Sequence, residues 1–445
     1  MIVAVMKTKA EQALAQGFEA VAGRLPGGTA VAAVRRRAMS TFEARGLPHR
    51  RVEEWKYTDL RVALKEVPPA AVGDAARATA ADIDLALAAL SGIDACRVVF
   101  VNGRHRPELS HGAITGLEVK PLGEALAAAQ DKVGEALVAS SAPADDAVHA
   151  LNTAYMTDGA VVRVAAGAAP AKPLLLVFAR AGKVAQTVTT RNVVSIADGA
   201  SVTLIEAHVA LAGAAGPGQS NVLTELVAGA GARIAHIKAT CETATAIHLA
   251  TWAVTLGRDA VYRAFQLTAG VGLARNQLFV TCKGEGARLD LSGVFLARGS
   301  EHVDTTLVVD HAVPRCESRE LFKGVLDDRA RGVFQGKVIV RPDAQKTDGK
   351  QMAQVLMLSE DAEFDSKPEL EIYADDVVCG HGSTSAEIDP ELIFYCRSRG
   401  MPENVARALL IESFIGEAIE KVEYGAIRDA LMAIALAWLE QGRRA

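Results

Sequence analysis

The chain has 445 residues, half of them hydrophobic and 23% charged, which fits a globular protein and excludes a disordered or low-complexity one. Its length exceeds what a single core usually sustains, so two or three domains are expected. A formal net charge of −5 argues against nucleic acid as a partner, and the longest apolar run, residues 430–439, falls well short of the ~20 residues of a membrane-spanning helix.

The cysteines are Cys96, Cys241, Cys282, Cys316, Cys379 and Cys396, scattered and without a CxxC pair. That usage suits reduced, mostly buried thiols in a cytoplasmic protein, not a disulfide framework or a resident cluster carrier. Residues 1–6 form an apolar patch too short for the core of a signal peptide.

Residues 1 to about 90 read as helical, with helix-forming stretches at 11–22 and 31–44 separated by the breakers Pro26-Gly27-Gly28 and Gly46-Leu47-Pro48. Arg35, Arg36 and Arg37 form the densest basic run and read as a solvated helix face. Trp55 and Tyr57, just past the second break, read as an anchor packing this region onto the core, because large aromatics dominate packing. Residues 97–101 are an apolar strand stopped by an Asn102-Gly103 turn. Helical texture returns at 121–139 and at 145–157.

From about 160 to 375, short runs rich in Val, Ile, Leu and Thr alternate with Gly, Asp and Ala turns. One motif recurs: a turn carrying Gly or Asp, then Ala, then a strand. Its markers are Ala200, Ala232, Ala260 and Ala287, spaced 32, 28 and 27 residues apart. A period of that size without intervening helices predicts a β-solenoid; a β-sandwich would show turns every ~8–12 residues. Within this region His302, Asp304, Asp310 and His311 offer possible ligands, with His302 and Asp304 on one strand face that reads as polar and exterior. His236, Cys241, Glu242 and His248 form a looser set, read as structural, and Asp327-Asp328 reads as turn chemistry.

Beyond Asp389-Pro390 the texture is helical again, with Ile411, Phe414, Ile415, Ala418, Ile419 and Val422 in one apolar stripe that Ile427, Leu431, Ile434 and Trp438 continue. The chain thus divides into a mostly helical N-terminal domain (1–158), a solenoid core (159–388) and a C-terminal helical domain (389–445).

The stretch 358–400 holds the chemistry. Cys379 and His381 stand two apart, so on a strand a thiol and an imidazole would share one face and converge on a metal. Two ligands do not close a zinc or iron–sulfur site, and a packed thiol beside a hydrogen-bonded His is the competing reading. No GxxxxGK[ST], GxSxG or HExxH is present.

Five segments carry a resemblance: EEWKYTDL (53–60), SRELFKGVLDDRARGVFQGKVIV (318–340), QKTDGKQMAQVLMLS (345–359), KPELEIYADDVVCGHGSTSAEID (367–389) and IFYCRSRGM (393–401). They resemble the SufB/SufD family, scaffold subunits of the SUF iron–sulfur cluster assembly system; the departures are small, at Gly380, Ser383 and Ser385. The resemblance implies a right-handed parallel β-helix core flanked by helical regions, and a scaffold that is not an enzyme. It implies pairing with a SufB-like paralogue, or with a second copy of itself, and docking of a SufC-like ATPase on the C-terminal helices. No intrinsic cofactor is implied, only a transient iron–sulfur cluster built with the partner. His381 would be the main iron ligand and Cys379 the weaker one, both near the partner junction. The alternative is a carbohydrate-active β-helix enzyme using Glu369, Glu371, Asp375 and Asp376, which the low aromatic content disfavours.

Overall fold

Strands alternate between two sheets as the chain winds. In this computed structural model, which describes residues 7–73, 76–128, 142–143, 145–214 and 216–442, neighbours within a sheet are two strands apart in sequence. Thus β5 (Leu174–Arg180) pairs in parallel with β7 (Ser201–Ala210), and β16 (Arg331–Val340) lies between β14 (His302–His311) and β18 (Glu363–Ile372). The result is the expected β-solenoid, of about eight turns, flanked by helices at both ends of the chain. Leu204, Trp252, Tyr262, Leu278, Leu291 and Leu307 belong to the core between the sheets.

The turn motif read from the sequence explains how the coils stack. Gly199, Gly231, Asp259, Gly286, Arg315 and Lys346 all have positive φ, and each directly precedes a buried residue: Ala200, Ala232, Ala260, Ala287, Cys316 and Thr347. The left-handed residue folds the chain back, which Gly does at no steric cost. The small residue then packs against its equivalents, and its carbonyl accepts the first strand N–H of the next coil: Arg233 to Ala200 at 2.8 Å, Val261 to Ala232 at 2.8 Å, Arg288 to Ala260 at 2.9 Å. Glu317 to Ala287 (3.0 Å), Asp348 to Cys316 (3.1 Å) and Val378 to Thr347 (2.9 Å) continue the ladder. The last two coils escaped the sequence pattern because Arg315 and Lys346 stand where Gly or Asp marks the others.

Helices cover part of each outer sheet face. The helices Lys9–Val21 and Ala147–Tyr155 share a core with Leu249 on one face. The helices Glu403–Ile419 and Gly425–Gly442 bury Ile411, Ile415, Ile419, Ile427, Leu431 and Trp438 on the other, against Ile205, Ile237, Phe265 and Val294. The C-terminal stripe therefore packs along the solenoid's flank. A capping box starts the first helix, Thr8 accepting from Glu11 N–H and Glu11 from Thr8 N–H. The buried Glu11 carboxylate also accepts from Leu47 N–H at 2.7 Å and Arg61 Nε at 3.1 Å, tying the helix to the Gly46-Leu47 break.

Three expectations about the N-terminal region are refined. Arg35 is buried, not solvated: its guanidinium donates to the carbonyls of Pro26, Ala154 and Met156, while Arg36 and Arg37 stay exposed. The apolar run after Cys96 is β1 (Cys96–Val101), which pairs in parallel with β5, so this region supplies sheet as well as helix. Of the helical stretch at 121–139, Leu122–Ala127 is a helix and residues from 129 on lie outside the described residues.

Ala260 has no exposed surface, so Ala260→Leu overfills the ladder. We expect a loss of about 1–3 kcal/mol in urea unfolding, with the circular dichroism of the folded state unchanged.

Candidate metal-ligand site at the open end

The solenoid ends on β18 and β19 (Val378–Ala386), each the outermost strand of its sheet. Among the described residues no further strand pairs with either, so the last coil presents open backbone edges. Register fixes which side chains look into the lumen there. Cys379 lies opposite Gly349 and His381 opposite Gln351 of β17 (Asp348–Met357), both buried inward positions. The thiol and imidazole therefore share the lumen-facing side of β19. Cys379 is half-buried and packs against Val338, Val340, Ala344 and Ala374; His381, with no coil above it, is exposed.

Each stands at the end of a column. Below Cys379 are Gly349 and then Ser318 of β15 (Glu317–Leu326). A Cβ on Gly349 would meet Ser318 Oγ tightly at 3.3 Å and Cys379 Sγ at an ordinary contact of 3.6 Å. Burial pushes the Cys379 thiol up. Below His381 are Gln351 and then Glu320. Gln351 donates across the lumen to the Gly336 carbonyl at 3.3 Å, and its Oε1 is buried without a partner. Glu320 is buried with neither carboxyl oxygen hydrogen-bonded, and burial raises it to about 8. A neutral acid two coils beneath an exposed imidazole was missed from sequence. Its signal is alternation: in ESRELFKGVL, Glu320 is in phase with the buried Phe322.

Most of the other sequence candidates are occupied by structure. His302 and Asp304 do share an outer face, but that face is not exposed: the N-terminal motif covers it. Thr58 Oγ1 bonds His302 Nε2 at 2.9 Å and also donates to Asp304, which is ion-paired with the buried Arg275. Arg275 in turn lies 3.9 Å over the Trp55 ring and donates to the Glu54 carbonyl at 2.6 Å. Trp55 is thus the anchor expected of it. His236 bonds Glu206 at 2.8 Å and Tyr262 Oη at 2.9 Å and stacks on Trp252. Glu242 pairs with Arg180 at 2.8 Å, while His248 bonds Ser220 at 2.7 Å. Asp327 and Asp328 lie in a turn. Glu369 and Glu371 are salt-bridged to Lys367 and Lys337, Asp376 is paired with Lys346, and Asp375 is exposed. Three of the four carboxylates thus stand in lysine pairs.

Comparison with known proteins decides the family. Residues 178–414 match the model described as "SUF system FeS cluster assembly, SufBD core domain", and residues 11–176 that of the "SufBD protein N-terminal region". The chain belongs to the SufBD family. It is 32% identical over 402 residues to an iron–sulfur cluster assembly SufBD family protein of Synechocystis, covering 86% of each chain. To the iron–sulfur cluster assembly protein SufD of Escherichia coli it is 31% identical over 397 residues, 87% of this chain and 88% of that one. A SufBD family protein of Mycobacterium leprae is 37% identical over 195 residues, 42% of this chain and 50% of the other. SufBD proteins are assembly proteins, and among the described residues no helix of this one is long and apolar enough to cross a membrane.

The buried Glu320 makes stability depend on pH. Unfolded, it ionises near the ordinary 4.5; folded, it keeps its proton to about 8. Between those values folding takes up a proton, so stability falls as pH rises through the window. Glu320→Gln removes this, and we expect the unfolding free energy to fall less between pH 5 and pH 8 than in the parent, by a difference on the order of 1 kcal/mol or more in urea unfolding.

Proposed function

We propose that this SufBD-family chain is a scaffold subunit that meets its partner across the open end of the solenoid and there offers His381 and Cys379 to a nascent iron–sulfur cluster. The observation that carries the reading is the uncapped last coil. Two parallel edges end together, and the only thiol–imidazole pair on β19 looks out of the lumen between them. Exposed apolar residues line this end: Ile372, Tyr373 and Val378. A related solenoid placed edge to edge would continue both sheets, satisfy the free backbone groups and cover those side chains. A SufB-like paralogue fits that role, and a second copy of this chain is the fallback.

His381 is the principal ligand in this reading. It is exposed and flanked by Gly380 and Gly382, and neutral imidazole suits iron. Cys379, half-buried against Val338, is the supporting one. The cluster is cargo, completed by ligands of the partner, and the open end itself needs no resident cofactor.

Docking of a SufC-like ATPase falls to the C-terminal helices. Their apolar stripe is consumed by the solenoid, so docking relies on the side left free. Leu392, Phe394 and Tyr395 on the helix Pro390–Ser398, and Val405 and Leu409 on the helix Glu403–Ile419, are all exposed. Beside them a groove of about 490 Å³ is lined by Leu358, Ile388, Ile393, Phe394, Arg397 and Arg407. ATP hydrolysis would then act on the junction from the helices adjoining the last coil.

His381→Ala is expected to leave co-purification with the SufB-like and SufC-like partners intact while abolishing the cluster absorbance after anaerobic reconstitution. Cys379→Ala should reduce it less. Full cluster yield with His381→Ala would refute the ligand assignment, and loss of the complex would show that the residue serves the interface instead.

A further inference from the structure

Two coils below the open end, three ligand-type side chains converge that the scaffold reading does not use. Cys282 closes β12 (Leu273–Cys282), and His311, its register partner, closes β14. Cys316 follows in the next turn, at the ladder position that Ala200, Ala232, Ala260 and Ala287 fill in earlier coils. All three are completely buried, and one donor atom from each lies within 4.8 Å of the others.

We propose that Cys282, His311 and Cys316 form an internal binding site for a thiophilic divalent cation of the zinc class. Thiols as packing alone do not account for the imidazole. His311 Nε2 bonds Ser318 Oγ at 3.2 Å, whereas Nδ1 is buried without a well-aligned hydrogen bond, and the ring interacts with the Cys316 thiol. A fully buried ring with one nitrogen lacking a well-aligned hydrogen bond, and a ring nitrogen within 4.8 Å of two sulfurs, is the arrangement a coordination shell would use. Cys316 Sγ also approaches the Gly284 and Pro314 carbonyls, at 3.5 and 3.6 Å.

The donor set selects the ion. Two sulfurs and a nitrogen favour zinc-like metals over magnesium or calcium, which take oxygen. Both thiols would release their protons to solvent on binding. Two thiolates and a neutral imidazole then balance a dication, so the filled site carries no net charge into the core. Three protein ligands leave one position for water or a neighbouring carbonyl, as in open zinc sites. The site would staple two successive coils and the turn between them. Its effect reaches the open end, because the Cys316 carbonyl accepts the first N–H of β17 and Ser318 heads the Cys379 column.

The test uses the full chain carrying Cys379→Ala and His381→Ala, so that the open-end pair contributes nothing. After chelation, titration with cobalt(II) should give one equivalent bound with a thiolate charge-transfer band, and zinc(II) should displace it and raise the melting temperature. Adding Cys316→Ala, which restores the ladder residue of four other coils, should abolish both the band and the zinc-induced shift. A band that survives Cys316→Ala, or no band in the parent, overturns the proposal. Should that variant fold poorly, zinc-edge absorption on the parent decides independently. Two sulfur scatterers near ~2.3 Å and a nitrogen near ~2.0 Å support the site, and an oxygen-only or nitrogen-only shell refutes it.

Discussion

One contact repeats up the whole solenoid: the first strand N–H of each coil donates to the carbonyl of a small buried turn residue in the coil before it. Because that residue stands at the same point of every turn, successive strands start in step. Strict parallel register follows, and with it columns of side chains that run the length of the molecule. The left-handed residue before each rung makes the turn possible, and the small side chain on the rung lets the coils close. In the later coils the rung changes from alanine to Cys316 and Thr347 without losing the contact.

Register is also what turns sequence neighbours and distant residues into sites. Cys379 and His381 share a face because they are two apart on one strand. What surrounds them comes from residues about thirty and sixty positions earlier, in the two preceding coils: Gly349 and Ser318 in one column, Gln351 and Glu320 in the other. The same rule keeps Glu320 buried and uncharged beneath an exposed imidazole. It also brings Cys282 level with His311, which follows it by one coil period.

Much of the architecture was legible in the sequence because the turn motif and its period are local signals. Ala200 to Ala287 gave the coil length, the flanking helical textures were plain, and Trp55 behaved as an aromatic anchor does. Other features depended on partners far along the chain. His302 and Asp304 looked like an exterior polar face until the N-terminal segment was laid over them, where Thr58, Trp55 and Arg275 complete the network. Arg35 looked solvated because its carbonyl acceptors, Ala154 and Met156, are remote in sequence. The C-terminal stripe showed an apolar face without saying that the solenoid's flank covers it. The cysteine scatter hid the Cys282–His311–Cys316 cluster, since ligands drawn from separate coils leave no short motif.

The central claim is that the open end, with its two unpaired edges, is where the partner joins. Hydrogen–deuterium exchange of this chain alone and mixed with its SufB-like partner tests it most directly. Amides of β18 and β19 are expected to exchange quickly in the free chain and become strongly protected in the complex, with the flanking strands little changed. Protection confined to the helical flanks, with the two edge strands still exchanging freely, would contradict it.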